Sequence, residues 1–419
     1  MSDSLAQPLV LPCGVTLPNR LAKAAMSEGM ADARNHATLR LETLYRRWAA
    51  SGAGLLLSGN IQVDRWHLER PLNVVADDAG GAAALARFAA AGTEGGVHFW
   101  AQLAHTGRQV DSAINPEPLA PSRVEIDVVR GAGYAFAPPR PMTQVEIAHV
   151  IGQFAFSARQ VRAAGFTGVA LHAAHGYLFS QFLSPLTNRR TDRWGGSLAN
   201  RARLLLETIA AVRAAVGPDF PIAIKLNASD FQKGGFTNAE CLELVGWLND
   251  STLDLLELSG GSLEQPKIVG VSLKDEGVDG RRDSTLRREA YFLDFAGAVR
   301  AAATMPVMVT GGFRTAAVMA DALRRGELDL IGLGRPLIAD PRAPARLLSG
   351  EIARVAAPEV NLFHLLAWHN IQLERLADGL DPDPALTGED AAGWFKRLER
   401  QNFDRLLAAR GVAAPESHA

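Results

Sequence analysis

The 419-residue chain holds two cysteines, Cys13 and Cys241. That is too few for a disulfide framework or a Cys-ligated iron–sulfur cluster. Charge of one sign is also missing: 43 basic and 45 acidic side chains leave a formal net charge of −2, with no long block of either. A nucleic-acid or membrane-surface partner usually shows as a basic stripe, so neither is expected. No stretch approaches the roughly 18 to 20 apolar residues of a membrane span. The opening "MSDSLAQPLVLPCGVTLPNR" lacks a basic segment followed by an apolar core, which sets the expectation of a cytoplasmic protein. No GxGxxG follows the first strand-like run, which weighs against an open dinucleotide-binding sheet.

What is present reads as an ordinary globular chain, 47% hydrophobic and 21% charged. Eight short apolar runs, at 20–25, 55–58, 97–102, 168–172, 222–226, 253–259, 307–310 and 328–334, have the nearly continuous apolar character of parallel strands covered on both faces. Helical patterns lie between them. Leu41, Leu44, Tyr45 and Trp48 fall on one face, as do Ile147, Ile151, Phe154, Ala158 and Val161, and again Leu205, Ile209, Val212 and Val216. Eight βα units predict an α/β fold, a (β/α)8 TIM barrel with its helices outside. Long connections of about 40, 25 and 30 residues follow strands 3, 4 and 6. In a barrel all of these lie at the C-terminal face, where active sites of this fold sit. After about residue 350 the pattern gives way to two amphipathic helices, "VNLFHLLAWHNIQLERLADG" and "DAAGWFKRLERQNFDRLLAARG". The expected organisation is a barrel over 1–350 and a helical extension over 351–419. That extension docks on the barrel or on a partner subunit, which would make the protein a homo-oligomer.

Three groups of residues carry candidate chemistry. His172 ends a strand and His175 follows three residues on. As metal ligands they want a further close ligand, yet "AAHGY" offers small residues and a phenol, so no metal is expected. As a packed structural pair they need no partner. As hydrogen-bond donors, two neutral imidazoles can both bind one carbonyl oxygen while Tyr177 supplies a proton, a reading that uses the phenol as well. At the other side, Gly311 and Gly312 follow strand 7 and Gly334 and Arg335 follow strand 8, the loops that commonly bind phosphate in this fold. Third, Gln102 closes strand 3 and Lys225 sits among apolar neighbours on strand 5. A lysine there requires an anion or an electron-rich acceptor, and a salt bridge across the barrel would serve as well as a ligand. A Schiff-base lysine of a lyase or aldolase is the competing chemistry for Lys225.

The segment "LHAAHGYLFSQFLSPLTNRRTDRWGGSLANR" resembles the signature of the old yellow enzyme family, the FMN-dependent ene-reductases. The resemblance extends to "LPNRLAKAAMSE", "QLAHTGRQ", "KLNASDFQKGGF" and "VTGGFRT…LIGLGRPL", in order over roughly residues 5 to 345. It implies non-covalent FMN, with NAD(P)H as a transient hydride donor and a small molecule with an activated double bond as acceptor. By position it places Ala24, Ala25, Met26, Ser27 and Gly59 against the flavin, Gln102 and Lys225 at its pyrimidine side, and Gly311, Gly312, Gly334 and Arg335 at its phosphate. His172 and His175 would clamp the acceptor's carbonyl, with Tyr177 as proton donor. Some branches of the family carry a Cys and then a Tyr in the first loop, where this chain has Ser27, Glu28 and Gly29. The implied reaction is hydride transfer from flavin N5 to the β-carbon and protonation at the α-carbon. A flavoprotein electron carrier without that activity is the alternative within the resemblance.

Overall fold

The computed structural model describes residues 3–126, 135–260, 293–356, 360–361 and 364–412, and its centre is a closed barrel of eight parallel strands. These are β1 (Leu21–Lys23), β2 (Leu55–Gln62), β3 (His98–Ala104), β4 (Gly168–Ala173), β5 (Ile222–Asn227), β6 (Leu255–Ser259), β7 (Val307–Thr310) and β8 (Leu330–Leu333). Each pairs with its sequence neighbours, and β8 returns to β1 with Ile331 opposite Leu21. Every expected strand is thus in place. Most ends shift by one or two residues, β3 for example running on past Gln102 to Ala104, and the largest difference is at β2, which runs to Gln62 through a register shift between Leu57 and Asn60. Such a bulge bends a strand and re-aims its side chains.

Strand alternation divides the barrel into layers. Ala22, Leu55, Leu57, Trp100, Ala170, Ala223, Leu255, Met308 and Leu330 fill the interior as one apolar cluster. Gly168 at the start of β4 makes room for the Trp100 indole, since a Cβ there would lie 2.6 Å from it. An antiparallel pair, Leu9–Val10 with Thr16–Leu17, adds Leu9 and Leu17 to this cluster. Outward-facing residues such as Phe99, Val169, Ile224 and Val309 pack under the helices.

The barrel helices are α1 (Leu39–Ala49), α2 (Ala82–Gly92), α3 (Gln144–Ala164), α4 (Leu198–Val216), α5 (Asn238–Asn249), α6 (Leu293–Ala302), α7 (Ala316–Arg324) and α8 (Ala343–Leu348). Their starts are chemically marked: Thr143 with Glu146 and Thr237 with Glu240 form capping boxes on α3 and α5. Of the long connections, the one after β3 carries the short pair Leu119–Ala120 and Arg140–Pro141, and the one after β4 carries a short helix, Leu178–Leu183. The third falls mostly on 261–292, outside the described residues.

Two further helices, α9 (Leu365–Ala377) and α10 (Gly388–Ala409), complete the described chain. They are fastened to their own barrel by arginines. Arg40 meets Glu374 at 2.6 Å and Asp378 at 2.7 Å, Arg47 meets Asp381, and Arg70 meets Glu399 at 2.6 Å and Asn370 at 2.6 Å. Among the described residues no helix is long and apolar enough to cross a membrane.

One outward position on β1 breaks the apolar rule. Lys23 is fully buried; its Nζ donates to Tyr45 Oη at 2.8 Å and the Leu57 carbonyl at 2.7 Å, and stands 4.2 Å from the Trp48 ring centre. The Tyr45 hydroxyl donates to the Glu28 carboxylate, and the Gly59 N–H donates to Glu28 Oε1 at 2.9 Å. A Cβ on Gly59 would lie 1.9 Å from Glu28 Oε2, so only glycine lets the carboxylate in. Burial pushes the Lys23 ammonium down to about 7 although Glu28 opposes the shift, and burial pushes the Glu28 carboxyl up. The unfolded chain keeps the Lys23 proton to about 10.5, whereas the folded chain releases it near 7. Unfolding free energy therefore rises with pH across that interval, by up to ~1.4 kcal/mol per pH unit. Lys23→Met is expected to flatten the rise, as measured by urea unfolding across the interval; an unchanged slope would show that Lys23 stays charged in the fold.

Candidate active site

Two residues above the apolar layer, the same inward alternation delivers Gln102, His172, Lys225, Glu257 and Thr310 to the C-terminal mouth. Lys225 and Glu257 are register partners on β5 and β6, and their side chains meet at 2.8 Å with both nearly inaccessible to solvent. Thr310 Oγ1 donates to the same carboxylate oxygen at 2.6 Å. The anion that Lys225 requires is thus a neighbouring strand's own glutamate. Removing one member of such a buried pair typically costs about 3–5 kcal/mol, because the other is left charged and alone. Gln102 Nε2 donates to Asn60 Oδ1 at 2.8 Å, while Gln102 Oε1 is buried with no partner among the described residues.

Above this layer opens a cavity of about 470 Å³, within the usual size for a small-molecule site. The first loop supplies Ala24, Ala25, Met26 and Ser27 to its wall, and β5 supplies Lys225. His175 and Tyr177 line it from the loop after β4, and Gly311, Gly312, Gly334 and Arg335 from the loops after β7 and β8. Gly311 and Gly312 have φ of +118° and +83°, a backbone that only glycine adopts easily. Gly59, Gln102 and His172 are not on this wall. Gly59 backs onto Glu28, Gln102 lies beneath in the polar layer, and His172 stands behind His175.

The histidines are joined to each other. The Ala174 N–H donates to His172 Nδ1 at 3.2 Å, which leaves the proton of the neutral ring on Nε2. His172 Nε2 lies 3.2 Å from His175 Nδ1, and His175 Nε2 lies 2.8 Å from Ser259 Oγ. Assigned from these partners, the protons run as a relay, His172 to His175 to Ser259. Both donors are occupied in this arrangement, unlike the open two-donor clamp expected from the sequence. His175 itself adopts φ +60°, followed by Gly176 at +77°, so the loop turns sharply to bring the ring over the cavity. Burial, reinforced by His175 and Lys225, holds His172 well below the usual imidazole range, and burial with Lys225 pushes His175 down to about 3.

Several cavity residues were not among the candidates that the sequence singled out, although Gln109 and Arg314 lie within the quoted "QLAHTGRQ" and "VTGGFRT". From "HLERP", Glu69 and Arg70 reach the wall; Gln109, Asp111 and Arg314 do so from other loops. The extension contributes Leu366, His369, Asn370 and Leu373 from α9 and Phe395 from α10. The α9 residues are spaced i, i+3, i+4, i+7, a single helical stripe whose polar pair was the available signal. Burial, with Arg335 and Arg314 nearby, pushes His369 down to about 3.

Two other features are set aside by their chemistry. Asp64, His67 and His105 bring one ligand-type atom each within 4.8 Å of one another. However, the Leu119 and Gly107 N–H groups donate to His67 Nε2 and His105 Nδ1, so each neutral ring turns an N–H, not a lone pair, toward that group. A hollow of about 590 Å³ near Arg20, Arg300 and Asp329 lies at the opposite, N-terminal end of the barrel, away from the polar layer.

Comparison with known proteins decides the lineage. The profile of the NADH:flavin oxidoreductase / NADH oxidase family matches residues 4–351. The chain belongs to this family. It is 36% identical over 404 residues to the NADH-dependent flavin oxidoreductase nadA of Aspergillus parasiticus, covering 91% of this chain and 88% of that protein. It is also 36% identical over 370 residues to the NADH-dependent flavin oxidoreductase iliE of Neonectria sp., covering 84% of this chain but only 48% of that longer protein. Among solved structures, a 2-naphthoyl-CoA reductase in complex with 2-naphthoyl-CoA superposes with TM-score 0.78 at 25% identity, over 90% of this chain and 58% of that one. Morphinone reductase in complex with tetrahydroNAD superposes with TM-score 0.68 at 26% identity, over 86% and 93%.

Membership makes this flavin oxidoreductase an old yellow enzyme relative whose family cofactors are FMN and NAD(P)H. The residues present fit FMN. Gln102 Oε1, buried beneath the cavity floor, is an unused acceptor of the kind an imide N–H needs, and the glycine loops with Arg335 form a basic end suited to a phosphate. Because both site histidines are held far below 6.5, His172 and His175 are expected to stay neutral Nε2–H tautomers between pH 5 and pH 8. The unfolded chain takes up those protons, so stability falls as pH drops below about 6.5. Side-chain 15N–1H NMR of histidine checks this; a site imidazole titrating near 6.5 would contradict it.

Proposed function

We propose that this flavin oxidoreductase reduces activated alkenes, α,β-unsaturated carbonyl compounds above all, with NAD(P)H as the source of electrons. The observation that carries the reading is one cavity whose wall holds a donor imidazole, a phenol and an anion-binding end together. FMN, when bound, would supply the hydride exchange between NAD(P)H and the acceptor. The chain's own residues bind, orient and protonate. Gly311, Gly312, Gly334, Arg335 and Arg314 hold the phosphate, the Ala24–Ser27 loop supports the ring, and Gln102 and Lys225 attend its polar side. An acceptor's carbonyl oxygen replaces Ser259 Oγ as the partner of the His175 Nε2–H, and with that ring displaced the His172 Nε2–H becomes available to the same oxygen. Two donors aimed at a developing enolate stabilise it more than the ground-state carbonyl. Tyr177 delivers the proton to the α-carbon. The bound 2-naphthoyl-CoA of one structural neighbour supports a conjugated carbonyl as the acceptor class.

The test is an absorption spectrum of the purified protein, followed by anaerobic NAD(P)H and then cyclohexenone. Flavin bands should bleach with the nicotinamide and return with the enone. Bleaching without return would retain the flavoprotein and reject the ene-reductase reading. The variant carrying His172→Ala and His175→Ala should lose enone reduction by about 10²-fold or more while keeping the NAD(P)H half-reaction. Equal loss in both halves would mean that the pair shapes the site and does not clamp the carbonyl.

A further inference from the structure

Ser27 and Glu69 meet on the cavity wall in an arrangement that the proposed mechanism does not use. Ser27 Oγ lies 2.6 Å from both Glu69 carboxylate oxygens. A hydroxyl has one proton to give, and beside an ionised carboxylate that proton goes to the carboxylate. The carboxylate is itself oriented from behind. Gln102 Nε2 donates to Asn60 Oδ1 at 2.8 Å, which turns the Asn60 amide nitrogen toward Glu69, and Asn60 Nδ2 donates to Glu69 Oε2. No ion pair joins Glu69 among the described residues, and the guanidinium of the adjacent Arg70 is engaged by Glu399 at 2.6 Å. The wall therefore presents a carboxylate and a hydroxyl whose proton is already committed.

We infer that Glu69 is a positioning residue that withholds the Ser27 proton from the ring of the bound flavin and thereby keeps its reduction potential low. The inference rests on the flavin reading above. A hydroxyl donating to the ring favours the electron-rich reduced form, and a nearby anion disfavours it. In this site the donor is turned away and the anion is present, so both effects act in the same direction. Replacement by glutamine reverses them. Asn60 Nδ2 keeps the amide oxygen on its own side, the new amide nitrogen faces Ser27, and the Ser27 proton is released toward the cavity.

The experiment is the midpoint potential of the FMN-loaded protein, titrated against a reference dye, in four forms: wild type, Glu69→Gln, Ser27→Ala and the double variant. Glu69→Gln should raise the reduced-to-oxidised ratio at fixed poise about tenfold, which is about 30 mV for a two-electron couple. Ser27→Ala alone should leave the potential within twofold of wild type in the same ratio, because the lost proton never reached the ring. In the Glu69→Gln background the same change should lower the potential. An unshifted Glu69→Gln, or an equal drop on Ser27→Ala in both backgrounds, overturns the inference and leaves the flavin reading standing. Should Glu69→Gln fail to fold, Ser27→Ala decides alone, and a fall in potential overturns the inference. A wild-type protein that takes up no FMN overturns the flavin reading, and this inference with it.

Discussion

The constraint on which the site depends is the two-residue alternation of a closed parallel barrel. Once Trp100, Ala170, Ala223, Leu255 and Met308 face inward to make the core, the residues two further along must face inward as well. Those are Gln102, His172, Lys225, Glu257 and Thr310, so polarity arrives at one level on five strands. Neither Lys225 nor Glu257 can be buried there alone at tolerable cost; each makes the other possible, with Thr310 taking a further lone pair. The floor of the cavity is a polar layer that the barrel geometry dictates and the ion pair permits.

A second network holds the wall above that floor. The first loop is fixed because the Glu28 carboxylate is gripped by Tyr45 and by the Gly59 N–H, and Tyr45 is fixed in turn by Lys23. The bulge between Leu57 and Asn60 places Gly59 where its missing side chain admits Glu28. Arg70 then ties the same loop to the C-terminal helices: its guanidinium donates to the Glu28 carbonyl at 2.9 Å and to Asn370 and Glu399. The extension is thereby bound to the residues that shape the cavity, and it supplies wall residues from α9 and α10.

The strands were legible because apolar runs of four to eight residues between amphipathic helices admit few other arrangements, and the glycines after β7 and β8 because that fold puts anion loops there. Lys225 was legible by its oddness in an apolar strand. Glu257 in "LDLLELS" is equally odd, and pairing the two required knowing that β5 and β6 are in register at those residues. The histidine pair was legible as a pair but not as a relay. Which nitrogen carries the proton is set by the Ala174 N–H and by Ser259, one local in conformation and the other 84 residues away. Glu69 and the α9 stripe were not legible for a similar reason: a charged residue in a loop, or a polar pair on an amphipathic helix, usually faces water, and only tertiary packing turned these toward a cavity.

The carboxylates on the cavity wall and directly behind it are each held differently. Glu257 is neutralised by Lys225 at contact distance. Glu28 is buried, faces the Lys23–Tyr45 chain and has its carboxyl pushed up, so it favours sharing a proton over adding a bare charge. Glu69 is joined to the neutral donors Ser27 and Asn60, and Asp111, also on the cavity wall, accepts from the Ala113 and Ala135 N–H groups. Of these, Glu69 lies on the side of the cavity occupied by the first loop, where it meets Ser27. His175 and Tyr177 reach the same cavity from the loop after β4, so the imidazole and phenol come to the wall from a different loop than the Glu69 carboxylate, which gives the cavity a direction as well as a shape.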